Sequence, residues 1–261
     1  MIATISLGIS FLFTNFAVSC IFLMEHSRNL ILSIETAVNV CSVCIADENG
    51  ILSMREDFGV NNHSSKLSVF IDEVMKEISV SYDSLVAVAV SGGPGSFTGL
   101  RIGIATAKGL CYASNIPLIA VDTLQAMAWM MMNICPFQPD KKVFYQPMID
   151  ARRMEVYTAL FDENLNVIKP VTAEIIDEDY FSNLKKEEKI ILAGNGTNKF
   201  RQMFENIPQV VFIEDNVHSS RGVSAIALQK LKNKDFADVA YYEPFYLKDF
   251  IPGKPKVKGL E

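Results

Sequence analysis

Apolar residues along this chain fall into short runs and one clear helical repeat, and together they predict a mixed α/β protein. From Leu67 to Ile78 the apolar residues recur at intervals of three and four, which places them on one face of a helix. The short apolar runs have the length of buried strands and are separated by turn-forming residues. We predict strands at residues 30–34, 40–46, 51–57, 85–90, 116–121, 143–149, 155–161, 190–193 and 210–213.

Helices are predicted in the intervals between several of these strands. Besides residues 67–78, the pattern predicts helices at residues 100–113, from Thr123 onward, and at residues 219–231. The segment from Asp47 to Gly50 predicts a hairpin turn, because its Asn-Gly pair tolerates positive φ. The first half therefore has the order βββαβαβα, and the second half follows in reduced form.

A glycine-rich segment from Ser91 to Gly99 joins the predicted strand 85–90 to the predicted helix 100–113. It holds four glycines and a proline, so it is a turn of specified shape rather than a flexible linker. Amide groups and the dipole at a helix start favour an anion, while the missing side chains also let another chain approach closely. An anion site, a surface that accepts a chain and a purely structural turn remain open alternatives.

Three common motifs do not match this segment. A phosphate-binding P-loop ends in Gly-Lys-Ser or Gly-Lys-Thr, whereas Gly99 is followed by Leu100 and Arg101. The dinucleotide fingerprint fails because one residue too many precedes Gly99. A serine-hydrolase elbow has a glycine two residues before its serine, but Pro94 stands at that position before Ser96.

The whole segment 91–110 closely resembles the signature of the TsaB family, also called YeaZ, whose members are subunits of the bacterial tRNA threonylcarbamoyladenosine machinery. Three other segments are similar to the family's first strand and turn, its second-domain hairpin and its ending, namely residues 31–37, 149–157 and 243–249. The resemblance extends from about Leu30 to Asp249. One departure is Glu35, which stands where the family usually has aspartate.

The resemblance implies a fold class, α/β of the actin-like (ASKHA) type found in sugar kinases and Hsp70, with two similar domains. The first domain is expected at residues 30–122 and the second, reduced domain at residues 123–261, with a C-terminal segment able to return to the first. Residues 1–29 would form an apolar leader before the first domain.

The resemblance also implies a function, that of a noncatalytic subunit supporting a TsaD-like catalytic subunit. That subunit transfers a threonylcarbamoyl group from its adenylate to N6 of the adenosine beside the anticodon. A TsaE-like ATPase would join at or near the interface, and the complex would use ATP, whereas this chain alone would bind no cofactor or metal. A homodimer is the other pairing that the resemblance allows. Contact with tRNA would occur only through the complex, in the cytoplasm.

Two other functions compete with this interpretation. One is an ATP-dependent enzyme of the actin-like class, such as a kinase or ATPase. In phosphotransferring relatives the aspartate at the position of Glu35 belongs to the nucleotide and metal apparatus, so the longer carboxylate argues against independent ATP chemistry. The second is a glycoprotease, which no recognisable nucleophile or metal site in the sequence supports.

Partner binding is expected on two apolar helices beside the glycine-rich segment. Small residues among the larger ones in residues 100–113 let another helix approach closely, although an ordinary covered helix would show the same pattern. The predicted interface positions are Leu67, Phe70, Ile71, Val74, Ile102, Ala105, Thr106 and Gly109. We also assign functional weight to the signature loop, defined as Ser91, Gly92, Gly93, Pro94, Gly95, Ser96, Phe97, Thr98, Gly99 and Arg101.

Composition and charge fit a globular protein that does not bind RNA strongly by itself. The chain is 49% hydrophobic and 21% charged, enough to form one large core or two modest ones. Its net charge of −6 opposes strong tRNA binding, because phosphate affinity comes mainly from lysine and arginine. The one basic cluster is the tail at residues 254–258, either a solvated terminus or a phosphate contact.

Residues 1–24 contain no charged side chain and four phenylalanines. That length could span a bilayer, but a secretory leader would begin with positive charge. Met24 is a plausible true start, because the family's reading frame normally begins just before the first strand. A mis-called start, an apolar extension or membrane anchor, and a cleaved signal all remain open, and no membrane contact is expected unless this leader is real.

Cysteine and histidine offer no clear metal site. Cys41 and Cys44 lie three apart in a predicted strand, where their side chains point to opposite faces, so both are expected to be core residues. His26, His63 and His218 are scattered, without the pair at i, i+4 that a helical metal site needs.

Several charged residues are candidates for chemistry, but they form no recognisable constellation. The possible acids and bases are Glu35, Asp122, Asp150 and Glu155, and the possible anion contacts are Arg101, Arg152 and Arg153. Carboxylates at strand ends often only cap helices or solvate turns. We therefore predict no catalytic residue in this chain.

Overall fold

The computed structural model describes residues 28–59, 63–136, 142–214 and 216–248 of the chain. The interpretations of residues 1–24 and of the basic tail 254–258 therefore lie outside the described residues. Within these ranges, no helix combines the length and the apolar character needed to cross a membrane.

The first half of the chain forms a five-stranded sheet. Its strands, in the spatial order β3-β2-β1-β4-β5, are β1 Leu30–Glu35, β2 Cys41–Asp47, β3 Gly50–Asp57, β4 Leu85–Ser91 and β5 Leu118–Val121. β1 pairs antiparallel with β2 and parallel with β4, and β5 continues the parallel edge. All residues of β1 and β2 are buried, because helices cover both faces of this sheet.

The second half repeats this sheet. Its strands, in the order β10-β9-β6-β7-β8, are β6 Lys142–Asp150, β7 Glu155–Phe161, β8 Val167–Ile175, β9 Glu188–Ala193 and β10 Val210–Phe212. If the strands of each half are numbered separately, both sheets have the order 3-2-1-4-5. This repetition confirms the predicted actin-like class with two similar domains.

The helices differ between the two halves. Five α-helices are described, namely α1 His63–Glu77, α2 Phe97–Ser114, α3 Thr123–Ile134, α4 Arg201–Phe204 and α5 Ser220–Lys232. Short 3-10 turns lie at Tyr82–Ser84 and Thr197–Lys199. The four residues of α4 occupy the place in the second half that the 18 residues of α2 occupy in the first. The second half is therefore reduced, as predicted.

Two helices each pack on the sheet of the other half of the chain. α3 follows the first sheet in sequence but packs against the second, whereas α5 follows the second sheet and covers the first. They meet where Gly222 lies so close to the Ala126 carbonyl that a side chain would not fit. α1 and α2 cover the opposite face of the first sheet from α5.

The C-terminal segment also lies against the first half. Ala237 forms an isolated bridge with Leu118 of β5, and Phe245 N donates to the Gly92 carbonyl at 2.8 Å. Lys108 Nζ on α2 donates to the carbonyls of Ala240 and Tyr242. Residues 220–248 thus pack largely on the domain that the sequence analysis placed at 30–122.

Each predicted strand and helix has a counterpart, with differences at the ends. Helix α2 begins at Phe97 rather than Leu100, because the Ser96 hydroxyl caps it by accepting from Gly99 N. The predicted hairpin turn is present, with Gly50 at φ 134° and Asp47 accepting from Asn49 N. Strand β8 was not predicted, since half of it is exposed and it has no continuous apolar run.

Candidate functional site

The signature loop extends from the last residue of β4 into the first turns of α2, and its first four residues, Ser91 to Pro94, are buried. The chain's own backbone fills the space left by its glycines. A side chain at Gly95 would overlap the Ala37 carbonyl, and one at Gly99 would overlap the Thr36 carbonyl. The turn after β1 is therefore packed directly against the start of α2.

The other side of the loop is covered by the C-terminal segment. A side chain at Gly92 would overlap the Tyr242 hydroxyl, and one at Gly93 would approach the Phe245 carbonyl to 2.5 Å. Gly93 also has φ 115°, a conformation that other residues rarely adopt. A small cavity of about 170 Å³ remains here, lined by both glycines, Asp122, Tyr242 and Phe245 among others.

Amide groups of the loop donate to acceptors within the chain. Gly92 N donates to the Val121 carbonyl at 2.7 Å, and Gly93 N to Thr123 Oγ1 at 3.2 Å. Ser96 N donates to the Ala37 carbonyl at 2.6 Å. These groups are not free to bind an anion, so the packing favours the structural alternative for this part of the loop.

Glu35 lies at the same contact between the turn after β1 and the start of α2. Its side chain is buried, and Oε1 accepts from Ala37 N at 2.5 Å and from Ser91 Oγ at 3.0 Å. Burial raises the pKa of this carboxyl to about 7, although the hydrogen bonds from Ala37 N and Ser91 oppose the shift. The carboxylate thus occupies the turn after β1 and uses its hydrogen bonds to hold the junction together.

The exposed face of α1 and α2 only partly matches the predicted interface. Leu67, Ile71 and Val74 are buried in the core of the first domain, so their assignment to a partner interface was wrong. Their helical spacing marked the side of α1 that covers its own sheet.

The remaining predicted interface positions are at least partly accessible. Ala105 and Gly109 are exposed, while Phe70, Ile102 and Thr106 are partly buried. The sequence analysis missed Val69 and Tyr112, which are 48% and 86% exposed. The role of this surface in binding stays a prediction.

Similarity to known proteins identifies the family. A family model described as tRNA N6-adenosine threonylcarbamoyltransferase matches residues 57–250. The tRNA threonylcarbamoyladenosine biosynthesis protein TsaB of Escherichia coli (strain K12) is 32% identical over 242 residues, which cover 88% of this chain and 99% of that protein. The chain belongs to the TsaB family.

Other relatives agree with this membership. The TsaB protein of Bacillus subtilis (strain 168) is 27% identical, and the alignment covers 84% of this chain and 93% of that protein. The structure of YeaZ from Pseudomonas aeruginosa has the same fold, with a TM-score of 0.69, 22% identity and coverage of 84% of this chain and all of that one. The tRNA N6-adenosine threonylcarbamoyltransferase of Lacticaseibacillus casei aligns over only 33% of its length.

The other candidate acids of this TsaB-family chain lie apart from Glu35. Asp122 caps α3 by accepting from Gln125 N at 2.8 Å, and burial raises its pKa to about 6. Asp150 lies at the β6–β7 turn, where Lys199 Nζ donates to it at 2.5 Å. Although partial burial opposes ionisation, this contact helps hold the pKa of Asp150 below its usual value.

The candidate anion contacts occupy two places on the surface. Arg101 is exposed on α2, where its guanidinium lies 3.9 Å from the centroid of the Phe97 ring. Arg152 and Arg153 are exposed in the turn that joins β6 to β7. Glu155, which begins β7, forms an ion pair with Lys248 of the C-terminal segment.

The two cysteines of β2 point to opposite faces of the sheet, as predicted. Cys41 lies in the core beneath α1 and α2, whereas Cys44 Sγ donates to the Ser220 carbonyl on the α5 side at 3.4 Å. Burial raises the pKa of both thiols to about 11. In the described ranges, no group of three or more His, Cys, Asp or Glu side chains is arranged to hold a metal ion.

The described histidines contribute to the structure rather than to a shared site. His63 begins α1, and its Nε2 lies 2.6 Å from the Val38 carbonyl. His218 is buried just before α5, and neither of its ring nitrogens has a hydrogen-bond partner among the described residues. Burial lowers the pKa of His218 to about 4, so the ring is neutral at physiological pH.

Proposed function

We propose that this chain is a noncatalytic subunit of the tRNA (adenosine-N6)-threonylcarbamoyltransferase complex. It would hold a TsaD-like catalytic subunit in its active arrangement, and a TsaE-like ATPase would join at or near their interface. Membership of the TsaB family supports a role in threonylcarbamoyladenosine biosynthesis, because the curated relatives carry that name. ATP would be used by the complex in the cytoplasm, and this chain would bind no cofactor alone.

The observation that carries this proposal is a solvent-exposed helix face beside a loop that is filled by the chain's own residues. Ala105, Gly109 and Tyr112 recur on one side of α2, and all three are exposed. The two small residues would let a partner helix approach closely, and Tyr112 would add a large contact area. α1 contacts α2 and extends this face with Val69 and Phe70. We call these five residues the helix face.

The packing around Glu35 supports a subunit without chemistry of its own. An ATP-dependent enzyme would need space for phosphate at the turn after β1, but the Glu35 carboxylate and the Ala37 and Thr36 carbonyls lie there instead. The competing kinase, ATPase and glycoprotease functions receive no comparable support.

The experiment compares the complex with and without the chain. The purified protein is assayed for threonylcarbamoylation of an unmodified tRNA, first alone and then with its TsaD-like and TsaE-like partners. We expect no turnover by the chain alone and full activity only when all three proteins are present. Turnover by the chain alone, or full activity of the other two without it, would contradict the proposal.

A variant pair then tests the helix face. Ala105→Arg places a long charged side chain on the exposed side of α2 and should prevent co-purification with the TsaD-like partner. Gln229→Arg introduces the same side chain on α5, an exposed position on the opposite side of the first sheet. The control should assemble normally, and equal behaviour of the two folded variants would reject this surface. Size-exclusion chromatography of the chain alone reports whether the same face forms a homodimer.

A further inference from the structure

The C-terminal segment brings aromatic and basic side chains together near the start of α2. The Tyr246 and Phe97 rings lie 4.9 Å apart between centroids, and the Arg101 guanidinium lies over the same Phe97 ring. Arg101 Nε also donates to Tyr246 Oη at 3.1 Å, which fixes the guanidinium beside both rings. Phe245 adds a ring that is 48% exposed.

The same segment continues to the β6–β7 turn of the second domain. Lys248 forms its ion pair with Glu155, only two residues after Tyr246 contacts Arg101. Two extended residues span roughly 7 Å, so the aromatic group and the turn are neighbours on the surface. The C-terminal segment therefore joins positive groups from both domains into one region.

The β6–β7 turn presents two arginines in a defined conformation. Arg152 and Arg153 have φ values of 70° and 50°, in the left-handed region that few residues other than glycine adopt. Both side chains are exposed, and in the described part of the chain neither guanidinium forms a salt bridge. The adjacent carboxylates are already paired, Asp150 with Lys199 and Glu155 with Lys248. The turn therefore carries a net positive charge.

We infer that this region is an RNA contact of the assembled complex, an inference that rests on the proposed function. We define the cationic aromatic surface as Arg101, Arg152, Arg153, Phe245, Tyr246 and Lys248. Its guanidinium groups can bind phosphate oxygens in a bidentate manner, and its exposed aromatic ring can stack on an unpaired base. An RNA loop offers both features at once, phosphates on its backbone and bases outside a helix.

The charges of the whole chain explain why this contact would work only in the complex. With a net charge of −6, the isolated chain would be repelled by the RNA backbone at long range. The cationic aromatic surface is a local exception to that charge. Because Arg101 lies one helical turn before Ala105, the surface borders the helix face, so RNA held there would lie beside the bound catalytic partner.

The test removes the two arginine charges while keeping the turn. Arg152→Asn with Arg153→Asn retains the left-handed backbone, since asparagine tolerates positive φ better than most residues. The matched control is Lys185→Asn with Lys186→Asn, which removes two exposed positive charges before β9. That site lies at the opposite end of the second sheet, because Glu188 pairs with Lys142 at the start of β6. A third variant, Phe245→Leu, removes the stacking ring without changing charge.

Each variant is assembled with its TsaD-like and TsaE-like partners, and its affinity for an unmodified tRNA transcript is measured at several salt concentrations. We expect the arginine variant to bind about ten-fold more weakly at low salt and to reduce the slope of log affinity against log salt by about 1.4. Phe245→Leu should weaken binding with the slope unchanged, because it removes no phosphate contact. The complex with the lysine control should bind tRNA with the affinity and salt dependence of the wild-type complex.

Two results would overturn the inference. If the arginine variant assembles normally and the complex binds tRNA with unchanged affinity and salt dependence, this surface does not contact RNA. The proposed function would still stand, provided that the modification assay requires this chain. Loss of assembly by the folded arginine variant would instead mark the surface as a protein interface. The proposed function fails separately, if the partners modify tRNA fully without this chain.

Discussion

The Glu35 carboxylate at the end of β1 accepts a hydrogen bond from the Ser91 hydroxyl at the end of β4, across an O–O distance of 3.0 Å. Ser91 Oγ in turn lies 3.4 Å from Thr36 N, so one hydroxyl links the ends of two neighbouring parallel strands to the turn after β1. Glu35 is therefore part of the architecture of the signature loop.

We expect Glu35 to make the chain less stable as pH rises. Its pKa is about 7 in the folded protein, against 4.5 for the free side chain, so folding favours the protonated form. The resulting stability is complete below pH 4.5 and is lost as pH rises through 7. At about 1.4 kcal/mol per pKa unit, the loss is of the order of 3 kcal/mol.

Glu35→Gln isolates this effect, because glutamine cannot ionise but keeps an acceptor oxygen for Ala37 N and Ser91. Urea unfolding of both proteins at pH 5 and pH 8 should show the wild type losing stability relative to the variant at the higher pH. A constant difference between the two proteins across this range would show that the carboxyl titrates normally.

His218 should have the opposite pH dependence. Burial lowers its pKa from 6.5 to about 4, so the neutral ring is favoured by folding. This stability is present above pH 6.5 and is lost as pH falls through 4, again by roughly 3 kcal/mol. His218→Leu removes the titration and places an apolar side chain in a site where the imidazole has no described hydrogen-bond partner.

The measurement is the thermal unfolding of the wild type and of His218→Leu, each at pH 7.5 and pH 5. The wild type should lose more of its melting temperature on acidification than His218→Leu does. The Glu35 contribution is common to both proteins and cancels from the comparison. Equal losses would mean that His218 is solvated or paired in the folded state.

The architecture could be predicted from the sequence because the patterns that mark its helices and buried strands are local. The helical spacing of Leu67, Ile71 and Val74 predicted α1, and the apolar run at residues 85–90 predicted the buried strand β4. β8 escaped detection because edge strands need not be apolar, and its first four residues are exposed. Its position follows only from pairing with β7, which is a tertiary contact.

The site was less predictable, for a different physical reason. An apolar helical stripe identifies a face that avoids water, but it cannot distinguish a domain core from a partner interface. That ambiguity produced the wrong assignment of Leu67, Ile71 and Val74, whereas the exposed face carries small residues such as Ala105 and Gly109 that hydrophobic spacing does not mark. The residues that fill the signature loop come from positions 36–37 and 242–245, too distant in sequence for any local pattern to reveal.

Gly99→Ala should destabilise the junction between β1 and α2. The added methyl group would overlap the Thr36 carbonyl, which is held on the buried turn after β1 and cannot move easily. Overpacking of this kind costs about 1–3 kcal/mol. Denaturant unfolding of the isolated chain measures the effect, and a variant as stable as the wild type would mean that the turn is more adaptable than its packing indicates.

Gly109→Ala is the matched substitution on the same helix, and we expect the opposite effect on stability. No atom lies within 4 Å of the position that its methyl group would take, and alanine favours a helix over glycine by about 1 kcal/mol. The isolated chain should therefore become more stable. If a partner helix packs closely at this position, the same methyl group should weaken the complex.

Two measurements on Gly109→Ala thus separate folding from assembly. Denaturant unfolding should show the gain in stability, and titration with the TsaD-like partner should show a lower affinity. A gain in stability with unchanged affinity would mean that the partner does not approach α2 closely at Gly109, and the contact would then have to involve another part of the helix face. A loss of stability would contradict the open surroundings of this glycine in the folded chain.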